Sequence, residues 1–274
     1  MAIINMDGLV AAMTASTAQN IPWNKTGVGT EGAGTFLDMS QVAGIPSAIA
    51  TPDAASSGGT SYTGSSAGGL PFAAPSGGNT LYLAAYNATS SVPGSIYMAD
   101  RLWACRGLST TLGATTAVTG MSNITRYNSG VGAEIWHQTI SAPGAGTGSG
   151  IMTISYTNSA GVSGRTATIT LGAGSPPPSA GQCYPATLQA GDTGVRSIES
   201  ATNTSLTFTG GSHGLFVARR LLTTPITINS PGATVDGLGT GLQQIDPNAC
   251  INFILLCSQT LSGYWAGNVL LIEG

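Results

Sequence analysis

The clearest chemical signature in the 274-residue chain is Gly210-Gly211-Ser212-His213-Gly214, which satisfies GxSxG, the sharp turn that exposes a nucleophilic serine in hydrolases. Such a serine needs a separate histidine as base and an acid to orient it. The chain holds only His137 and His213, and His213 lies inside the motif. The flanking residues "TFTG" and "LFV" read as strand, turn, strand, so a β-turn is the expected structure and Ser212 is not expected to catalyse. Gly27, Gly29 and Gly32 in "GVGTEG" satisfy GxGxxG, whose glycines let a helix N-terminus approach a pyrophosphate. No strand-then-helix pattern surrounds them, and a chain with 40 glycines produces the spacing by composition. Two histidines and dispersed carboxylates do not make a transition-metal site. No pair among the 11 acidic residues is nominated for acid–base work. The expectation is a chain that is not an enzyme and has no catalytic, cofactor-binding or metal residues. His137 in "EIWHQT" reads as a polar partner on a strand, and the tryptophans as core or contact anchors.

Composition narrows the alternatives. Only 7% of residues are Asp, Glu, Lys or Arg, against about 25% in ordinary soluble domains, while 42% are hydrophobic. Lys25 is the one lysine, and of the arginines only Arg219 and Arg220 are adjacent, so nucleic acid is not an expected partner. A net charge of −3 provides neither colloidal repulsion nor steering to a membrane surface. Permanent assembly, with homo-oligomers or other proteins as partners, fits this composition. "MAIINMDGLVAAM" lacks the basic start of a signal peptide, and no apolar run approaches the ~20 residues of a membrane-spanning helix. Cys105, Cys183, Cys250 and Cys257 have no CxxC spacing and read as buried thiols made in a reducing cytoplasm.

The elements that must carry these residues are mainly β. "MTISYTNSAGVSGRTATITL" alternates Met152, Ile154, Tyr156 with Thr153, Ser155, Thr157, and then Ala167, Ile169, Leu171 with Thr166, Thr168, Thr170, around a Gly/Ser/Asn turn. This is a half-buried hairpin with a threonine-coated outer face. Further strands are expected in "NTLYLAAYNA", "GSIYMADRLWACRG", "GAEIWHQTISA", "CYPATLQA", "GVRSIESAT", "GLFVARRLLT" and "AGNVLLIEG". Residues 5–18 predict a short helix capped by Asn5 or Asp7, with Leu9, Val10 and Met13 on one face. Asp246 and Pro247 read as the cap and first position of a helix over 247–258, with Cys250, Phe253, Ile254 and Cys257 on its core side. The fold expected is an antiparallel β-sandwich or jelly-roll-like body with an extended Gly/Ser-rich N-terminal arm and one helix in the C-terminal region. Its divisions are a helix and arm over 1–80, a β part over 81–172, a Pro/Gly linker or crossing loop over 173–182, and a β part over 183–274 that shares a domain with the first or stands apart.

Several stretches together resemble a family of tailed-bacteriophage virion proteins: "DGLVAAM", "GAGTFLDMSQVAGIP", "DRLWACRGL", "GAEIWHQT", "ISYTNSAGVSGRTATITL", "LQAGDTGVRSIES" and "NACINFILLC". They run along nearly the whole chain. The resemblance implies a structural protein of the virion, synthesised in the bacterial host cytoplasm, with the major capsid protein or other virion proteins as partners. It carries over no catalytic residue. Capsid decoration or cementing ranks first among the roles, a tail, neck or head-fibre part second, and a receptor- or carbohydrate-binding module third. Trp23, Phe36, Phe72, Thr166, Thr168 and Thr170 are the candidate subunit contacts, since aromatic anchors and neutral hydroxyls can be buried against a neighbour at small desolvation cost.

Overall fold

The computed structural model describes residue 3 and residues 5–49, 58–142, 150–171, 179–205, 210–226, 233–237, 239–258 and 261–274, with the side chains of 27–31, 233 and 261–262 left aside. The Asn5 side chain accepts a hydrogen bond from the Gly8 amide at 2.8 Å and starts helix α1 (Met6–Thr14). Strands β1 (Gln19–Glu31), β2 (Phe36–Asp38), β3 (Gly44–Ile45) and β4 (Thr60–Ser61) follow. The middle of the chain supplies β5 (Leu81–Ser90), β6 (Gly94–Arg106), β7 (Thr115–Ala117), a helical turn α2 (Arg126–Gly130), β8 (Ala133–Ser141), β9 (Gly150–Asn158) and β10 (Arg165–Leu171). The remainder supplies β11 (Gln182–Pro185), β12 (Val195–Asn203), β13 (Ser212–Ile226), β14 (Ala233–Val235), β15 (Gln244–Ile245), β16 (Ile251–Cys257) and β17 (Leu261–Glu273).

Strand pairing closes on itself at the centre. β6 pairs with β13, β13 with β8, β8 with β11, β11 with β2, β2 with β16, and β16 returns to β6, all antiparallel. This is a closed barrel. Closure gives each member strand a partner on both sides. Each of its strands contributes to one buried cluster that includes Ala99, Trp136, Cys183, Phe216 and Ile254, with half-buried Phe36 and Tyr97 at its border, so this cluster fills the barrel interior.

Two sheets pack on the outside. In one, β14 and β15 pair with β5, followed in order by β17, β1 and β3. Its Trp23, Leu83, Tyr86 and Trp265 meet Ile96, Met98, Phe253 and Leu255 of the barrel, with the Trp23 and Phe253 rings stacked at 4.3 Å. The other sheet has the order β10-β9-β12-β7, and its Met152, Ile154, Tyr156, Ala167, Ile169 and Leu171 pack on Trp103, Ile135, Leu215 and Val217. Helix α1 lies on the far side of the first sheet, where Leu9 and Ala12 meet Ala84 and Ile272.

The mainly β, sandwich-like body matches the expectation from sequence. Three local expectations change. Residues Ile251–Cys257 form a strand, β16, rather than part of a helix over 247–258. Phe253 and Leu255 face the first sheet while Ile254 faces the barrel interior, so a run buried on both sides shows no period of two. The Asp246 signal closes a turn instead, accepting from the Asn248 amide through Oδ1 at 2.8 Å and from the Ala249 amide through its carbonyl at 2.9 Å. Within the Gly/Ser-rich arm, β1 is a long strand paired with β17 and β3, and β2 is a barrel stave. On α1, Leu9 is buried as expected, but Val10 and Met13 are exposed because Ala12 takes the inward position.

Candidate functional site

The outer face of the β10-β9-β12-β7 sheet is built from short hydroxyl side chains. Alternation buries Ala167, Ile169 and Leu171 and leaves Thr166 and Thr170 exposed and Thr168 half-buried. The hydroxyls bond sideways to one another: Thr115 to Thr202 and Thr153 to Thr204, each at 2.9 Å. Ser155 and Thr157 both donate to Glu199, at 2.6 and 2.8 Å, and these bonds hold its carboxyl below the usual carboxylate range. Across the four strands the charged residues are Arg165, Arg196 and Glu199. Over β7, β9 and β12, hydroxyls that already have such partners can be covered by protein without stranding a donor. The free edge of β10 is guarded at Thr168, whose amide and carbonyl pair with Thr187 at 3.0 and 2.8 Å.

Of the six candidate contact residues, the structure gathers Thr166, Thr168 and Thr170 on one strand and separates the aromatic three. Trp23 is 2% exposed and locked in the core between Tyr86 and Phe253, so as it stands it has no surface to offer a neighbour. Phe72 packs, half-buried, against the same core. Phe36 sits at one mouth of the barrel with Tyr97 and Trp136, at centroid distances of 5.6 and 5.2 Å. Glu134, Pro185 and Arg220 are among the other walls of this mouth, a cleft of about 490 Å³.

The sequence reading did not find the charged groups sealed inside. Within the barrel the Arg101 guanidinium meets the Asp38 carboxylate at 2.6 Å and donates to Gln138 Oε1 at 3.1 Å, while the Gln138 amide donates back to Asp38. The Ser40 amide and hydroxyl both donate to Asp38, at 2.9 and 2.8 Å. The guanidinium lies over the Phe216 ring at 4.5 Å. Asp38 and Arg101 are 1% and 2% exposed. Lys25 is also fully buried and donates to the carbonyls of Val42 and Pro46 at 3.0 and 2.6 Å. Burial pulls its pKa down to about 8, with Asp38 opposing the shift.

The neighbouring residue on β6, Asp100, points the other way. It accepts from the Cys250 amide and the Tyr127 hydroxyl, each at 2.8 Å, and faces Arg126 at 3.3 Å. Burial raises its carboxyl to about 6 against the lowering effects of those partners. Adjacent opposite charges in the otherwise apolar strand "IYMADRLWAC" were the available signal, since charges in such a strand must find partners on both faces.

Tyr127 itself stands in an unusual backbone. Tyr127, Asn128 and Ser129 have φ of 56°, 51° and 64°, and Gly130 follows at 87°, a left-handed turn that costs roughly 1–2 kcal/mol for each non-glycine residue. The Tyr127–Asp100 hydrogen bond and the Arg219 guanidinium 4.1 Å from the tyrosine ring hold it in place. A Cβ on Gly130 would stand 2.0 Å from the Val195 carbonyl oxygen. Gly130→Ala is therefore expected to destabilise the protein by at least about 2 kcal/mol, read as a lower denaturant midpoint at unchanged slope.

His137 on β8 is fully buried, and its Nε2 lies 3.2 Å from Nδ1 of His213. Ser212 opens strand β13, so no helix follows it as the hydrolase turn requires. Backbone residues Gly27–Glu31 continue β1. None of the four cysteines forms a disulfide, and all are buried. Among the described residues no group of three His, Cys, Asp or Glu side chains could hold a metal ion, and no helix is long and apolar enough to cross a membrane.

No protein-family model matches the chain, and no curated protein matches it. Among solved structures, the crystal structure of infectious bursal disease virus VP2 subviral particle aligns with 93% of this chain and 80% of that one, at 10% identity and a TM-score of 0.22. A likeness at that score carries no argument about this chain.

Proposed function

We propose that this chain is a structural component of a tailed-bacteriophage virion, a capsid decoration or cement protein that holds the head together through protein–protein contacts. The observation that carries the reading is the hydroxyl face of β7, β9, β10 and β12, nearly free of charge and, across β7, β9 and β12, already hydrogen-bonded within itself. Such a surface can be covered by the major capsid protein, or by a second copy in a homo-oligomer, without desolvating ions. The stretches that resemble phage virion proteins support the same class, and "ISYTNSAGVSGRTATITL" is the hairpin that builds this face. The sealed-in charges act as scaffold in this reading, and no catalytic step is assigned to them. A tail, neck or head-fibre position would use the same surface at lower copy number.

The test is the stoichiometry of the protein against the major shell protein in purified particles, by quantitative mass spectrometry. A simple fraction of the shell count supports decoration. A few per cent or less moves the protein to the tail, neck or fibres, and absence from particles overturns the virion role. A chain carrying Thr166→Lys, Thr168→Lys and Thr170→Lys is expected to fold with a stability change within about 1 kcal/mol, since these side chains point outward, yet to be lost from particles. Incorporation at the wild-type level would remove this face from the contact.

A further inference from the structure

The mouth of the barrel has features that the scaffold does not require. Phe36 and Tyr97 are half-buried rather than sealed in, although they border the cluster that fills the interior. They form an aromatic pair on the wall of a cleft of about 490 Å³, within the range of small-molecule sites. Arg220 lies 5.1 Å from the Tyr97 ring and is paired with Glu134, and both stay partly exposed, at 45% and 28%. Only Oε1 of Glu134 is used by that pair; Oε2 has no hydrogen-bond partner among the described residues, nor do the remaining guanidinium N–H groups of Arg220. Asp192, the other acid lining the cleft, is tied to Arg165 at 2.9 Å.

These features define what can bind. The charges of the cleft cancel in two ion pairs, so no net charge selects an ionic ligand. Phe36, Tyr97 and Trp136 are each paired on both sides, so the aromatic wall itself offers no open backbone edge for a peptide to add as a strand. What remains is an aromatic wall for a weakly polar C–H face, with one carboxylate oxygen to accept and guanidinium N–H groups to donate to hydroxyls. We propose that the barrel mouth binds a neutral saccharide, one pyranose face on Phe36 and Tyr97 and its hydroxyls on Glu134 and Arg220. This goes beyond a structural role in the virion and does not depend on it.

The test is isothermal titration calorimetry of the full chain with glucose, galactose, mannose and N-acetylglucosamine, with glucuronic acid as the charged control. At least one neutral sugar is expected to bind with a Kd on the order of 1 mM. Tyr97→Ala and Glu134→Gln are each expected to weaken it about tenfold or more, and glucuronate to bind less well than its neutral counterpart. If Tyr97→Ala does not fold, as judged by circular dichroism, Glu134→Gln on its partly exposed side chain decides the matter. No heat with any neutral sugar, affinity unchanged in the variants, or preference for glucuronate overturns the proposal. So does sedimentation showing self-association that Tyr97→Ala abolishes and sugar does not compete with, because the cleft would then be filled by a second copy.

Discussion

Replacing Arg101 by alanine is expected to cost about 3–5 kcal/mol of stability, the penalty for leaving a buried partner charge uncompensated. In a protein of this size that lowers Tm by on the order of 10 °C. Asp38 would keep its Ser40 and Gln138 hydrogen bonds but lose the guanidinium it pairs with, in a barrel interior where it is 1% exposed. The guanidinium also covers Phe216, so packing is lost with the charge. The pair's net worth is a separate quantity, since bringing both ions out of water costs much of what their attraction returns. Accordingly Asp38→Asn combined with Arg101→Met is expected to recover most of the loss. Chemical denaturation of the single and double variants checks both statements. A loss under 1 kcal/mol for Arg101→Ala, or a double variant no better than the single, would show that the two charges are not coupled inside the barrel.

Stability is expected to fall as pH drops from 6.5 to 4.5, and the buried histidine pair sets the direction. An unfolded histidine takes its proton near pH 6.5. In the fold, burial holds His213 down to about 4, and burial together with His213 holds His137 well below its ordinary value. Below pH 6.5 the unfolded chain thus binds protons that the folded chain refuses, and unfolding gains ground. Asp100 works the other way: its carboxyl, raised to about 6, holds a proton in the fold that the unfolded chain releases down to about 3.9. Between pH 6 and 4.5 two histidines against one carboxyl leave a net uptake of about one proton, or ~2 kcal/mol over that window. Glu199 and Glu273, held low by hydrogen bonds, add losses only below it. His213→Gln is expected to flatten the profile there. A wild-type midpoint constant from pH 6.5 to 4.5 would be incompatible with a buried, neutral pair.

What could be read from sequence followed where one face of an element was wet. The β9–β10 hairpin announced itself because Ile154 and Ile169 go inward and Thr153 and Thr168 outward, and α1 because Asn5 is a cap. β16 was illegible for the opposite reason: both of its faces are dry, and Cys250, Phe253, Ile254 and Cys257 fit a helical face as well as they fit a strand. β2 has three residues and pairs with segments near 182 and 255, a spacing that no local period records. The Asp38–Arg101–Gln138 group was out of reach because it is assembled from three barrel strands far apart in the chain. The threonine row of the candidate face was legible, whereas the barrel mouth was not, because Phe36, Tyr97 and Glu134 meet only after closure.

The burial of Lys25 has a practical side. It is the only lysine in the chain, and none of its side chain reaches solvent. Amine-directed cross-linkers and dyes therefore find no lysine on the folded surface, and a contact map of the particle made with them would hold no lysine link to this protein while it stays folded. The same feature turns lysine acylation into a clock for opening of the fold: each modified Lys25 records a moment when β1 and the Val42 and Pro46 carbonyls had let go of it.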